Sequence, residues 1–193
     1  MRRSKPKRRH IATNLRCSPR IAPLVAGRGR IYRFRDLPRP AQFAIIHYMS
    51  VDGEAWVHPT DLPGSPQVDW WEADHKWRSR DRRVLAPVEV YGALLDKYVA
   101  RYGDTEWGYA EIPMVDLATS VMQDQDIADW GEFDHYRDWY ARQGVPRHPA
   151  TNRWPVILSS KGDQEETLQD GWHRFHSYYR SGAQVVPAVW FPE

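Results

Sequence analysis

The chain has 193 residues, room for one medium domain with an appendage but not for two full cores. Apolar residues make up 41 % and charged residues 27 %, as in soluble globular proteins, and no stretch approaches the ~18 apolar residues of a spanning helix. One cysteine, Cys17, excludes a disulfide framework and a Cys-rich zinc site, and it fits a reducing cytoplasm.

The formal net charge of +2 conceals an uneven distribution. Residues 1–35 hold twelve Lys or Arg and no acid, while the remaining 158 hold 15 basic and 25 acidic residues. A segment so poor in apolar side chains does not offset its ordering entropy, so residues 1–29 are expected to form a basic arm, flexible or held only by contacts. Its best apolar run, 21–27, is interrupted by Pro23 and soon followed by arginines, which makes a poor signal peptide. Clustered cations attract polyphosphates by releasing counterions. Arg2, Arg3, Lys5, Lys7, Arg8 and Arg9 are therefore candidate DNA contacts. The alternative is an arm lying back on the chain's own acidic body.

In chain order, residues 43–49 read as a strand, 51–53 as a turn and 54–57 as a return strand, together a hairpin. A loop rich in Pro and Gly follows, to Pro66. Trp70, Trp71 and Trp77 accompany a second basic run, Lys76, Arg78, Arg80, Arg82 and Arg83. Guanidinium suits phosphate and rings suit unpaired bases, so Arg78, Arg80, Arg82 and Arg83 join the candidate DNA contacts. A solvated Arg-rich loop explains the run equally well. Pro87 opens a helix in which Tyr91, Leu94, Leu95, Tyr98 and Tyr102 share one face and Gly103 is the stop. Residues 111–117 form a short apolar strand. Between 126 and 143, Ile127, Trp130, Phe133, Tyr136 and Tyr140 recur at helical spacing, an aromatic stripe suited to core packing. Residues 153–158 are the next strand, with Pro155 marking an edge or a strand start. An extended piece at 167–169 leads into a helix ending near Ser181 with Gly182 as its stop, and residues 185–191 close the chain as a strand. The expected fold class is α/β (α+β): a small mixed sheet with flanking helices. Residues 30–108 form a hairpin and helix extension on a core of 109–193, one compact domain overall.

The chemistry concentrates where the extended piece meets the last helix. Gly171 opens a helix carrying His173 and Arg174 in its first turn. Backbone N–H groups there lack helical partners and carry the positive end of the dipole, and a glycine lets a ligand approach closely. Imidazole and guanidinium beside them complete an anion site, most naturally for phosphate. Asp170 is placed to cap the helix, to bind a divalent cation or to orient His173. A capped helix start with solvated His and Arg is the simpler account. His173 and His176, three apart, have no evident third metal ligand.

The order of elements, with Ile112-Pro-Met-Val-Asp-Leu117, Trp154-Pro-Val-Ile-Leu158, Asp170-Gly-Trp-His-Arg174 and Val186-Pro-Ala-Val189, resembles the ParB/sulfiredoxin superfamily over 109–193. That resemblance implies nucleotide phosphates bound at the helix start and, in some members, hydrolysis or transfer of the terminal phosphate with Mg²⁺, or nuclease action. Carried over, Gly171, Trp172, His173 and Arg174 would hold ATP or another nucleoside triphosphate, with Lys161 reaching the outer phosphate. Asp170 is the first choice for Mg²⁺, and Asp116 and Glu132 are second choices, Glu132 as a catalytic carboxylate. On this reading Arg174→Ala is expected to abolish nucleotide hydrolysis and DNA cleavage and to leave the fold intact.

Trp172 stands where sulfiredoxins carry their reactive cysteine, which excludes sulfinic-acid repair by that route. Residues 118–125 lack the Pro- and Arg-rich box of chromosome-partition members, which argues against a centromere clamp. Size and layout are similar to single-domain plasmid fertility-inhibition proteins of the Osa type, which block conjugative DNA transfer. This resemblance implies a cytoplasmic, plasmid-encoded ATPase or DNase acting on DNA, with a type IV secretion or conjugation component as a further partner. Two alternatives stay open: a non-catalytic adaptor working through its basic arm, and a small-molecule or protein kinase on the same fold.

Overall fold

A computed structural model describes residues 16–51, 87–124, 153–160 and 166–192. Its strands are β1 (Arg30–Arg33), β2 (Glu106–Pro113), β3 (Val156–Leu158), β4 (Leu168–Asp170) and β5 (Val185–Trp190). They form one sheet in the order β1-β2-β5-β3-β4. The β3/β5 pair is parallel and the other three pairs are antiparallel.

Successive side chains of a strand point to opposite faces, and both faces here are apolar. Trp107, Ile157 and Val189 project to one face, covered by α2 (Arg39–Val51) and α3 (Pro87–Tyr102). Ala110, Ile112, Val156, Leu158, Val186, Ala188 and Trp190 project to the other. That face is covered by α1 (Ala22–Val25), α4 (Met114–Val121) and α5 (Trp172–Arg180). The protein is thus a mixed α/β fold with a five-stranded sheet and flanking helices, as its sequence pattern implies.

Helix α3 follows its spacing closely, burying Tyr91, Leu94, Leu95 and Tyr98. The expected strand at 43–49 is instead part of α2. Ala44, Ile45 and Ile46 are buried in succession, together with Ala41 and Gln42. Strand alternation does not bury consecutive residues on one face, whereas a wide helical face does. Pro40 fits the first turn of a helix, where a missing N–H is harmless. The buried Gln42 amide donates to the Phe34 and Arg35 carbonyls at 3.0 and 3.2 Å, fastening that first turn to the preceding 3₁₀ turn Phe34–Asp36. The proposed return strand, the Pro- and Gly-rich loop and the aromatic helix at 126–143 lie outside the described residues.

Two further boundaries differ from expectation. The apolar stretch 111–117 divides at Pro113, ending β2 and beginning α4, so Asp116 lies in the first turn of a helix. Strand β3 has neighbours on both sides, so Pro155 marks a strand start and not an edge. Gly182, at φ +69°, ends α5 as expected.

Residues 16–29 are not a free arm. Ile21, Leu24 and Val25 are buried in the second core, so the apolar run at 21–27 is a hydrophobic clip. Arg16 pairs with Glu106, Arg20 with Asp124, and Arg28 with Asp116 at 3.2 Å. The basic segment does lie on acidic groups of its own body over this stretch.

Gly108 lies opposite Trp190 in the β2/β5 register. A Cβ there would sit 1.9 Å from Trp190 Cε2, so the fully buried indole lies across a residue that must have no side chain.

Candidate functional site

β3 and β4 run side by side, with Ile157 opposite Asp170, and the chain turns at Gly171 directly into α5. Gly171 has φ +97°, a conformation that L side chains rarely adopt, so glycine is required by the backbone itself. It opens a helix of nine residues with no side-chain cap and no acidic residue in its first turn. His173 and Trp172 are half-buried there, and Phe175 and His176 turn into the core side of the helix.

Arg174 is turned inward. It is only 4 % exposed. Its Nη1 donates to the Pro155 carbonyl at 2.7 Å, and its Nη2 donates to Asp170 Oδ2. A Cβ on Gly171 would meet Arg174 Nε and Nη2 at 3.0 Å and the Val156 Cα at 3.1 Å. The group that comes closest to Gly171 is therefore the guanidinium of its own helix. The arrangement joins the start of β3, the end of β4 and the first turn of α5. It revises the expectation that Arg174→Ala leaves the fold intact, because that change strips a buried carbonyl and a carboxylate of their partner.

Asp170 is brought together with Gly171 and Arg174, but as an ion-pair partner of the arginine. Asp116 pairs with Arg28 on α4, away from the β4–α5 turn in the chain. A dedicated Mg²⁺ site needs several oxygen donors free to turn toward the ion. Both carboxylates are held by arginines, and among the described residues no group of three or more His, Cys, Asp or Glu side chains gathers. Glu132, Lys161, residues 1–15 and Arg78, Arg80, Arg82 and Arg83 lie outside the described residues.

A second polar cluster was not visible in the sequence. Asp124, 1 % exposed, accepts from the Thr167 backbone N–H at 2.9 Å and from the Thr167 hydroxyl at 2.7 Å, and it pairs with Arg20. Arg20 also donates to the Ser120 carbonyl at 3.2 Å, and Ser18 Oγ donates to the Ser159 carbonyl at 3.1 Å. Burial pushes the Asp124 carboxyl above its ordinary pKa, outweighing the Thr167 and Arg20 contacts that pull it down. Burial also pushes the Tyr178 phenol up to about 12, partly opposed by Arg174. The hydrogen bonds of the Asp124 cluster join residues 43 to 141 positions apart, so no local motif announces them.

The chain matches no family model, no curated protein and no solved structure. What it shows is a mixed α/β protein whose strongest sequence motif is an internal clamp. Among the described residues no helix is long and apolar enough to cross a membrane.

Proposed function

We propose that the chain is a nucleic-acid-binding adaptor of the ParB/sulfiredoxin type, in which the Gly171–Arg174 turn has become structural. The observation that carries this reading is the burial of Arg174 between Asp170 and Pro155. Phosphoryl transfer depends on positioned charge meeting the phosphates, and the guanidinium best placed to supply it is already engaged. The basic first 35 residues, attached to an otherwise acidic chain, then carry the recognition. On this reading the partners are DNA and a component of a conjugation or type IV secretion machine, and the outcome is inhibition of conjugative transfer in the cytoplasm. The test is a titration of labelled DNA with the purified chain across a salt series, beside a nucleotide hydrolysis assay with and without Mg²⁺. Binding should weaken steeply with salt, with no phosphate released above the blank. Mg²⁺-dependent phosphate release that disappears in a folded His173→Ala variant would overturn it.

One observation favours the resemblance's own activity as a second reading. The left-handed Gly171 opens a helix with neither a side-chain cap nor an acid in its first turn, a setting suited to an anion. On that reading a nucleoside triphosphate displaces Asp170 from Arg174. ATP should then raise the thermal midpoint of Asp170→Asn more than that of the wild type.

A further inference from the structure

The basic segment contributes more than a tail. Strand β1 pairs with β2 on one side, and among the described residues no strand pairs with its other side. Its sequence is Arg-Ile-Tyr-Arg. Ile31 turns to one sheet face and Tyr32 to the other, each packing against the core on that face. Alternation therefore puts Arg30 on the Tyr32 face and Arg33 on the Ile31 face, so the two exposed guanidinium groups flank the open edge from opposite sides. At a rise of ~3.3 Å per residue their Cα atoms are about 10 Å apart.

The surroundings strengthen this edge. Arg28 precedes the strand, and Arg35 and Arg39 follow it, all exposed. Arg33 and Arg35 share a single carboxylate, Asp104, at 3.6 and 2.9 Å, and Asp104 is itself 74 % exposed. Among the described residues no carboxylate pairs with Arg30. Arg16 pairs with Glu106, the register partner of Arg33. Residues 36–193 carry ten more acids than bases, while residues 1–35 carry twelve bases and no acid, so a polyanion is drawn to the segment that supplies β1.

We infer that the open edge of β1, with Arg30 and Arg33 astride it, is a docking track for the phosphodiester backbone of a nucleic acid. This rests on the nucleic-acid reading above and assigns part of that binding to the folded body. Contacts to the backbone are independent of base sequence.

The test uses the full chain and a fluorescein-labelled oligothymidylate, read by anisotropy over a salt series, with a duplex as a second probe. Arg30→Glu with Arg33→Glu should weaken binding of the single strand at least tenfold at low salt. Loss of two phosphate contacts should flatten the slope of log K against log salt by about 1.4. The paired control Arg153→Glu with Arg180→Glu, the same change of charge at exposed positions elsewhere, should stay within about twofold, in the same salt-dependent regime. Arg30→Lys with Arg33→Lys should restore most of the affinity, and circular dichroism should match across all variants. If the glutamate pair binds like the wild type while deletion of residues 1–15 abolishes binding, the edge-strand assignment is wrong and the nucleic-acid reading stands. If the wild type binds neither probe, both fail.

Discussion

Arg174→Ala separates a structural arginine from a ligand-binding one. The substitution removes the donor to the Pro155 carbonyl and the partner of Asp170. A hydrogen bond from a charged group contributes ~1.5–3 kcal/mol, and an unsatisfied buried carbonyl costs ~1–3 kcal/mol. Pro155 is buried, so its carbonyl loses its donor where water replaces it poorly. The Asp170 side chain is 27 % exposed, so water recovers part of that interaction and the ion-pair share falls toward the surface value. The expected destabilisation is about 3–4 kcal/mol, a large part of the ~5–15 kcal/mol that holds a typical domain together. For a chain of this size that lowers the melting temperature by roughly 6–16 °C. Urea unfolding followed by circular dichroism at neutral pH measures it. Arg174→Lys, able to reach one partner but not both, should fall between, and Asp170→Asn should lose about 1 kcal/mol. An Arg174→Ala protein within about 1 kcal/mol of the wild type would refute the clamp.

Gly108→Ala forces a methyl into the buried Trp190 indole and should destabilise by about 1–3 kcal/mol, with a changed near-ultraviolet Trp signal; a wild-type unfolding curve would show that the ring yields freely. The raised carboxyl of Asp124 means that the folded state holds its proton more tightly than the unfolded chain does. Its contribution to stability therefore falls as pH rises from the ordinary value of 3.8 through the raised one. Asp124→Asn should lose ground to the wild type at acid pH and regain it toward neutrality in parallel unfolding titrations; a gap growing in the wild type's favour with rising pH contradicts this. Tyr178 follows the same sign at the alkaline end: stability should decline between pH 10 and about 12. Tyr178→Phe should remove that part of the slope.

Some of this was legible along the chain because it depends on neighbours in sequence. The spacing of Tyr91, Leu94, Leu95 and Tyr98 gives α3 directly, since helical periodicity and burial coincide there. The alternation in β5, the left-handed stop at Gly182 and the glycine before α5 are likewise local. Asp170 and Arg174, four apart, already had the spacing of an ion pair in the sequence. Other features depended on what stands opposite. Residues 43–49 are a short apolar run that suits strand or helix, and the contact of Phe43 and His47 with Trp154, more than a hundred residues away, accompanies the helical choice. The Pro155 carbonyl, 19 residues from Arg174, turns a phosphate-like motif into a clamp. Asp124 finds Arg20 only after the N-terminal clip has folded onto the sheet. Local propensity decides elements as strongly periodic as α3, but a buried charge takes its meaning from partners that only the folded chain brings within hydrogen-bonding reach.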